Sequence, residues 1–514
     1  MNDKICGYYL DQQQQQIVLD DSKNLLVVAG AGSGKTLTIV GKIYYLIKHK
    51  KINPNEILCI SFTRAASNSL NEKIKKELML NIPVYTFHKL SLEILKNNQA
   101  NYQISPPDTL EIIIHLFFSV TVLSYPEHMK IILYYFKMNV SRNIKEKYLD
   151  FYKHHYQQIE LLSRLILTFI HLFKCNNYNL SDFIIFLKQA KKTFSYKKFK
   201  KEKIFLILAL NIYLLYQRHL IENNEIDFDD MIIMATKQVT EKGINKNYKY
   251  IIIDEYQDTS YIRFSLIKSI LNKTGAKLMV VGDDFQSIYR FTGCDLSLFV
   301  NFNKYFDETK IMKIETTYRN SQELINIVGK FVMKNKIQIK KNLVSNKNLN
   351  RPIKIVYYQD IKDSFLKIVL KIYKETNKPI LVLGRNNQDI NLILGKSFEL
   401  SPDGKIKCLS NSNININFLT AHKSKGLEEE NVIIINLEDK LLGFPNKIKN
   451  DSILRFVNHN CEKYPYSEER RLFYVALTRT KNNVYLMTQR NNCSIFIKEI
   501  VKKHYKEIEI IDFC

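Results

Sequence analysis

The chain has 514 residues, 46% of them hydrophobic, which suffices for about three or four domains of ordinary size and excludes wholesale disorder. Lysine and arginine number 76 against 51 aspartates and glutamates. The net charge of +25 favours a polyanionic partner such as nucleic acid, although lysine also accumulates in chains encoded by A/T-rich DNA. The eight cysteines are scattered without a C-x-x-C pair, which excludes a zinc ribbon or disulfide framework and points to a reducing interior compartment, the cytoplasm.

The N-terminal stretch Met1–Gln16 is polar and carries no signal-peptide core. Leu10-Asp11 runs into five glutamines, Gln12–Gln16. They read either as a low-complexity tract or as the source of an amide that reads an adenine edge, because an amide both donates and accepts. Next, the apolar run Leu25–Val28 enters Ala29-Gly30-Ala31-Gly32-Ser33-Gly34-Lys35-Thr36, followed by apolar residues at helical spacing, Ile39 to Ile47. Strand, glycine-rich loop and helix together predict a phosphate-binding loop. Its backbone N–H groups would curl round an anion at the helix N-terminus, Lys35 would reach the β and γ phosphates, and the Thr36 hydroxyl would hold Mg²⁺. Ala29 stands where the first glycine of this motif is usual.

Ile57–Ile60 predicts a second strand, ending in Phe62-Thr63-Arg64, and Val84–His88 another strand end. Rings and hydroxyls at such ends, Phe62, Thr63, Thr86 and His88, suit a single-stranded nucleic acid, with rings on bases and hydroxyls on phosphates. From about Leu92 to Leu220 helical periodicity dominates without glycine, which reads as a helical insertion. Its apolar stretches near Ile112–Leu123 and Leu161–Phe173 fall short of the ~20 residues of a membrane helix and read as buried helices; no membrane association is expected. Lys191–Lys201 interleaves lysines with aromatics, either a nucleic-acid track or a solvated face. The strand Tyr250–Ile253 then delivers Asp254 and Glu255: Asp254 would share the Mg²⁺ with Thr36, and Glu255 would orient and deprotonate water. Leu278–Val281 is one more strand, leading into Gly282-Asp283-Asp284-Phe285-Gln286.

Taken with Tyr289-Arg290-Phe291-Thr292-Gly293 and Glu315-Thr316-Thr317-Tyr318-Arg319, these blocks resemble, in order, those of superfamily 1 DNA helicases of the UvrD/Rep type, and most of all the DNA helicase IV branch. The match runs from Gln14 to Lys481. The resemblance implies that Gln14, 21 residues before Lys35, reads adenine and that Tyr318 stacks on it. Gln286 would couple the γ-phosphate to the nucleic-acid groove, and Arg319 would contact that phosphate. Phe291 stands where relatives often carry a tryptophan that stacks on a base, and Leu37 where many have an arginine. Thr420-Ala421-His422-Lys423-Ser424-Lys425-Gly426-Leu427-Glu428 fits a further block, with Thr420 and His422 on nucleic acid and Glu428 on the ribose. Glu469–Arg479 fits the last, with Arg479 as a second γ-phosphate arginine.

The implied fold is α/β: two RecA-like P-loop motor domains with parallel sheets and ATP between them. The expected division is 1–91 and 221–310 for the first motor domain (1A), 92–220 for a helical insertion (1B) and 311–514 for the second motor domain (2A). The gap between Arg385 and Thr420 leaves no room for the helical 2B insertion of larger relatives, and no nuclease domain is expected past Cys514. The implied activity is ATP- and Mg²⁺-dependent 3′→5′ movement on single-stranded DNA and at single-strand/duplex junctions, by a protein monomeric on DNA, with a loading partner an open question. Two alternatives stand beside it: an ATP-driven remodeller of a nucleoprotein complex, and the motor subunit of a phage-defence system.

Overall fold

The computed structural model describes residues 4–80, 82–96, 102–138, 143–192, 195–401, 404–459 and 462–513. Met1–Asp3, Thr193 and Phe194 of the basic-aromatic stretch, Cys461 and Cys514 lie outside the described residues.

The apolar runs that read as strands form two sheets. The first runs, edge to edge, Val84–Tyr85, Ile57–Ile60, Tyr250–Ile253, Lys277–Gly282, Asn24–Ala29 and Thr309–Ile314, all parallel. Its inner strands are buried along their whole length, as a parallel sheet covered on both faces requires. One expectation is corrected here. Thr309–Ile314 pairs in register with Asn24–Ala29, so the first domain's sheet runs through Ile314 and the expected division after residue 310 cuts a strand.

The second sheet runs Phe398–Leu400, Lys405–Cys408, Ile416–Thr420, Ile380–Gly384, Asn431–Ile434, Val484–Thr488, Ile353–Tyr358 and Glu509–Phe513. The last six are parallel, but Phe398–Leu400 and Lys405–Cys408 pair antiparallel. This sheet is therefore mixed rather than parallel throughout. The two short strands occupy the stretch between Arg385 and Thr420, and no helical domain stands there among the described residues. In the first sheet, strands Asn24–Ala29, Tyr250–Ile253 and Lys277–Gly282 end at the glycine-rich loop, at Asp254-Glu255 and at Asp283–Gln286, the usual ligand position in open α/β sheets.

The insertion is a helical bundle with its own core, built on Phe117, Phe118, Phe169, Phe173 and Phe205. Its longest helix, Tyr196–Glu222, has the length and hydropathy to cross a membrane, but Phe205, Leu208, Ala209 and Ile212 are spent on the bundle core. That core also takes Ile453, Leu454, Phe456 and Val457 from the second half of the chain. This strap is pinned by Asn176 Nδ2 donating to the Val457 carbonyl (2.8 Å), by Arg455–Glu202 (2.7 Å), and by His459 stacked on Tyr178 at 4.7 Å. The insertion thus draws part of its interior from outside residues 92–220. Replacing Phe456, whose ring lies 5.8 Å from that of Phe186, by alanine is expected to cost about 3–5 kcal/mol. Denaturant unfolding of the full chain measures it, and an unchanged midpoint refutes it.

Candidate active site and nucleic-acid interface

The phosphate loop follows from its backbone. Gly32 and Gly34 have φ of +71° and +78°, which residues with a side chain rarely adopt. Space is also lacking: a Cβ on Gly32 would lie 2.5 Å from Arg319 Cβ, and one on Gly34 2.6 Å from Gln14 Nε2. Ala29 has no such constraint. It is the last residue of its strand, in register with Ile314, so the departure from the motif costs the loop nothing. Thr317 Oγ1 donates to the Ala31 carbonyl (2.7 Å) and Tyr318 N to that of Gly32 (3.0 Å), and Ser33 Oγ donates to the Gly30 carbonyl (2.9 Å). Helix Lys35–Lys48 starts at the loop's end and turns its N-terminus to the cleft.

A cavity of about 640 Å³ opens over the loop, lined by Gln14, Gly32–Thr36, Glu255, Gln286, Tyr318, Arg319, Glu428 and Arg479. Of the residues expected at a nucleotide, these are brought together; Ala29, Gly30 and Ala31 lie buried behind the loop, and Asp254 sits behind Glu255, 8% exposed. Lys35 Nζ is 3.4 Å from Glu255 Oε1. Glu255 holds a left-handed φ of +53°, strained for a glutamate, and Gln257 Nε2 donates to its other oxygen (2.6 Å). Burial works against the Glu255 charge, but the Lys35 and Lys425 cations override it and hold the carboxyl below its usual range. Burial and the Glu255 charge push Asp254 the opposite way, upward. Asp254, a buried carboxylate, and the Thr36 hydroxyl at the helix N-terminus are hard oxygen donors of the kind a divalent cation takes.

Gln14 is 1% exposed. Its Oε1 accepts from Asp11 N (3.1 Å) and its Nε2 donates to the Ser33 carbonyl (3.1 Å). The amide braces the loop and keeps one N–H toward the cavity. The Tyr318 hydroxyl donates to Asp11 (2.9 Å) and leaves its ring 59% exposed at the mouth. Glu428, expected at a ribose, pairs with Arg319 Nε at 2.6 Å and with Lys481 at 3.4 Å. Arg479 is 1% exposed. It donates to the Val475 and Leu427 carbonyls and, at 3.4 Å, to Gln286 Oε1. Burial, and then the neighbouring Arg319 charge, lower its guanidinium to about 9. Cations outweigh anions here, a balance that suits a polyphosphate.

Aromatic side chains continue the site across both halves. The Phe62 ring stacks parallel on Tyr289 (6.1 Å, 8°), with the Arg263 guanidinium 4.7 Å from the Phe62 ring. Tyr289 meets Phe291 edge-on at 6.1 Å, and Phe291, 58% exposed, meets His422 of the second half at 5.6 Å. Thr63 Oγ1 accepts from Ala66 N (3.1 Å), Thr86 Oγ1 from Lys89 N (3.3 Å) and Thr420 Oγ1 from Lys423 N (3.3 Å). Their acceptor lone pairs cap local turns, which leaves the O–H for a phosphate. His88 packs on Phe228 at 5.0 Å beside a second cavity of about 750 Å³ that Phe62 and Thr86 also line. Sequence reading missed Arg263 and the role of Lys425. Lys425 Nζ pairs with Asp258, donates to the Gln286 carbonyl at 2.8 Å and lies 4.9 Å from the Tyr289 ring. The only sequence signal for it was its place in the block that contains His422.

Burial, reinforced by Arg263 and Arg64 for His88 and by Arg385 and Lys425 for His422, lowers both histidines to about 4. Their ordinary value is about 6.5. At these two sites the unfolded chain therefore binds more protons than the folded one between these values, and their contribution to stability rises with pH across that window, opposed by Asp254 and Asp258, whose carboxyls burial pushes upward. The contribution is complete above about pH 6.5 and lost progressively toward pH 4. On going from pH 7.5 to 5.5 the unfolding midpoint of His88→Asn should shift less toward instability than that of the wild type; an equal shift in the two proteins would contradict the assignment.

Comparison with known proteins accords with this geometry. Residues 10–307 match the family model for UvrD/REP helicase N-terminal domains, and residues 396–491 that for UvrD-like helicase C-terminal domains. The chain is 28% identical to DNA helicase IV of Escherichia coli over 96% of its own length and 70% of that protein. It is 30% identical to the ATP-dependent DNA helicase Rep of Buchnera aphidicola from Acyrthosiphon pisum over 69% of itself and 50% of the relative. With the ATP-dependent DNA helicase PcrA of Bacillus subtilis the figures are 29%, 68% and 42%, so the chain spans about half the length of these last two relatives. On the matched domains and the cleft between them, the chain belongs to the UvrD/Rep family of ATP-dependent DNA helicases.

Proposed function

We propose that the protein couples ATP hydrolysis to 3′→5′ movement along single-stranded DNA and opens duplexes at single-strand junctions, acting in the cytoplasm in replication, repair or recombination. The observation that carries this reading is the continuity of the two sites. Gln286 reaches Arg479 in the phosphate cleft through its side chain, and its carbonyl accepts from Lys425, which lies over Tyr289 in the aromatic row. A change of charge in the cleft is thereby felt where bases would stack. The polarity rests on the family resemblance alone.

In this reading Lys35, Arg319 and Arg479 hold the β and γ phosphates, and the two arginines stabilise the charge that develops on the transferred phosphoryl group. Glu255 accepts the proton of the attacking water. Thr36 and Asp254 would hold Mg²⁺, which neutralises phosphate charge when bound. A triphosphate competes with Glu255 for Lys35 and with Glu428 for Arg319, so nucleotide binding breaks ion pairs that the free protein makes. Phe62, Tyr289, Phe291 and His422 offer stacking surfaces, worth about 1–3 kcal/mol per base.

Glu255→Gln is expected to slow hydrolysis by about 10²–10⁴-fold with nucleotide affinity retained, as single-turnover hydrolysis and equilibrium binding would show. Collapse of affinity instead would make Glu255 structural. Opening a duplex costs on average about 1.4 kcal/mol per base-pair step in stacking, and among the described residues the stretch between Arg385 and Ile416 holds two short strands and a helical turn. Translocation should therefore be robust and unwinding dependent on a 3′ single-stranded tail. The test compares arrival at a labelled 5′ end with strand separation on 3′-tailed and blunt duplexes, with Lys35→Ala as the inactive control. Fast unwinding of blunt duplexes refutes the tail dependence; arrival at 3′ ends overturns the polarity.

A further inference from the structure

Between helix Gln322–Val332, packed in the second half's core, and strand Ile353–Tyr358, the chain returns to lie on the first half. Thr317 N donates to the Val344 carbonyl and Val344 N to that of Glu315, both at 2.8 Å, and Ile339 N donates to Asp284 Oδ2 at 2.8 Å. In the middle of this excursion stands Lys341. Its side chain is fully buried; its ammonium pairs with Asp283 and, at 2.6 Å, with Asp284, and lies 3.7 Å from the Phe285 ring centre.

The consequence lies three residues on. Gln286 Nε2 donates to Asp283 Oδ2 at 2.7 Å, which leaves its Oε1 turned to Arg479. An amide turned the other way would set N–H groups against a guanidinium that can only donate. The orientation of Gln286 therefore depends on Asp283 remaining an anionic acceptor. Two adjacent buried carboxylates cannot both stay charged without a cation at hand, and among the described residues Lys341 is the cation within ion-pair distance of both. We propose that Lys341 is a positioning residue of the ATP cycle: by pairing with both Asp283 and Asp284 it keeps Asp283 an acceptor and fixes the Gln286 amide between the phosphate cleft and the nucleic-acid face. The proposal rests on the motor reading given above.

The test uses the full chain. ATP turnover is measured with and without oligothymidylate for the wild type, Lys341→Met, Gln286→Ala and the double variant, with circular dichroism and thermal unfolding on each. The expected result is a fall of about tenfold in the ratio of stimulated to unstimulated turnover in Lys341→Met, with KM for ATP within about twofold of wild type. Gln286→Ala should lower the ratio likewise, and the double variant should fall no further, because the two changes act through one group. A merely structural role for Lys341 would lower both rates together and leave the ratio intact. That result, or losses that multiply in the double variant, overturns the proposal. Should Lys341→Met fail to fold, Asp283→Asn replaces it: a lowered ratio supports the proposal and an unchanged one refutes it. A wild type that oligothymidylate does not stimulate overturns the motor reading and this proposal with it, whereas a stimulated wild type with an unaltered variant ratio overturns this proposal alone.

Discussion

The cleft between the two halves holds more positive charge than it can balance, and the rest of the site is arranged around that excess. Lys35 borrows Glu255 and Arg319 borrows Glu428. Arg479, buried among carbonyls and the Gln286 amide, has no carboxylate partner among the described residues. Burying a cation without a counter-charge is costly, so the cleft stores a preference for an anion that can replace the borrowed carboxylates. In the proposed function a triphosphate would do so, and in displacing Glu255 from Lys35 it would leave the glutamate beside the reacting phosphate, free to take a proton. The same exchange would then bind the substrate and set the base.

The pieces that meet at this charge come from distant parts of the chain, and backbone contacts hold them in register. Asp11 caps the helix that carries Gln14 and also receives the Tyr318 hydroxyl. Gln14 braces Ser33, and the Thr317–Tyr318 segment grips the loop from the other side. A loop with two left-handed glycines has high conformational freedom when unfolded, and these cross-links confine it before any nucleotide arrives.

Much of this was legible in the sequence because it is local. Strand, glycine loop, lysine and threonine fall within a dozen residues, and Asp254-Glu255 directly follows its strand. What the sequence hid depends on pairings across long separations. Lys341 is one lysine among many; nothing local distinguishes it from its solvated neighbours, and its burial follows only from the chain's return to the first half. Thr309–Ile314 has charged and exposed residues on an edge strand, so its membership of the first sheet was masked by its composition. Phe398–Leu400 and Lys405–Cys408 are too short and too polar to announce an antiparallel extension. Phe62 and Tyr289 stand in blocks far apart in the chain, and only the folded chain stacks one on the other.

The links between the halves differ in kind, and that difference bears on which of them can open during a cycle. Arg319–Glu428, Arg479–Gln286 and Lys425–Asp258 are polar. Arg319–Glu428, at the exposed edge of the cleft, can be exchanged for phosphate or water at small net cost, because charged groups released into a wet cleft regain hydration, whereas the buried Arg479 and Lys425 need a replacement acceptor as they part. The strap is different. Ile453, Leu454, Phe456 and Val457 lie in the insertion's core, and exposing a side chain of this kind costs about 1.5–3 kcal/mol. The insertion is held to the first half by Lys174 between Asp227 and Asp230 and by Cys175 against Gly293. In the proposed cycle, closure and opening of the cleft would therefore leave the strap seated and fall on the polar contacts. The insertion would then move as a load shared by both halves rather than as an appendage of the first.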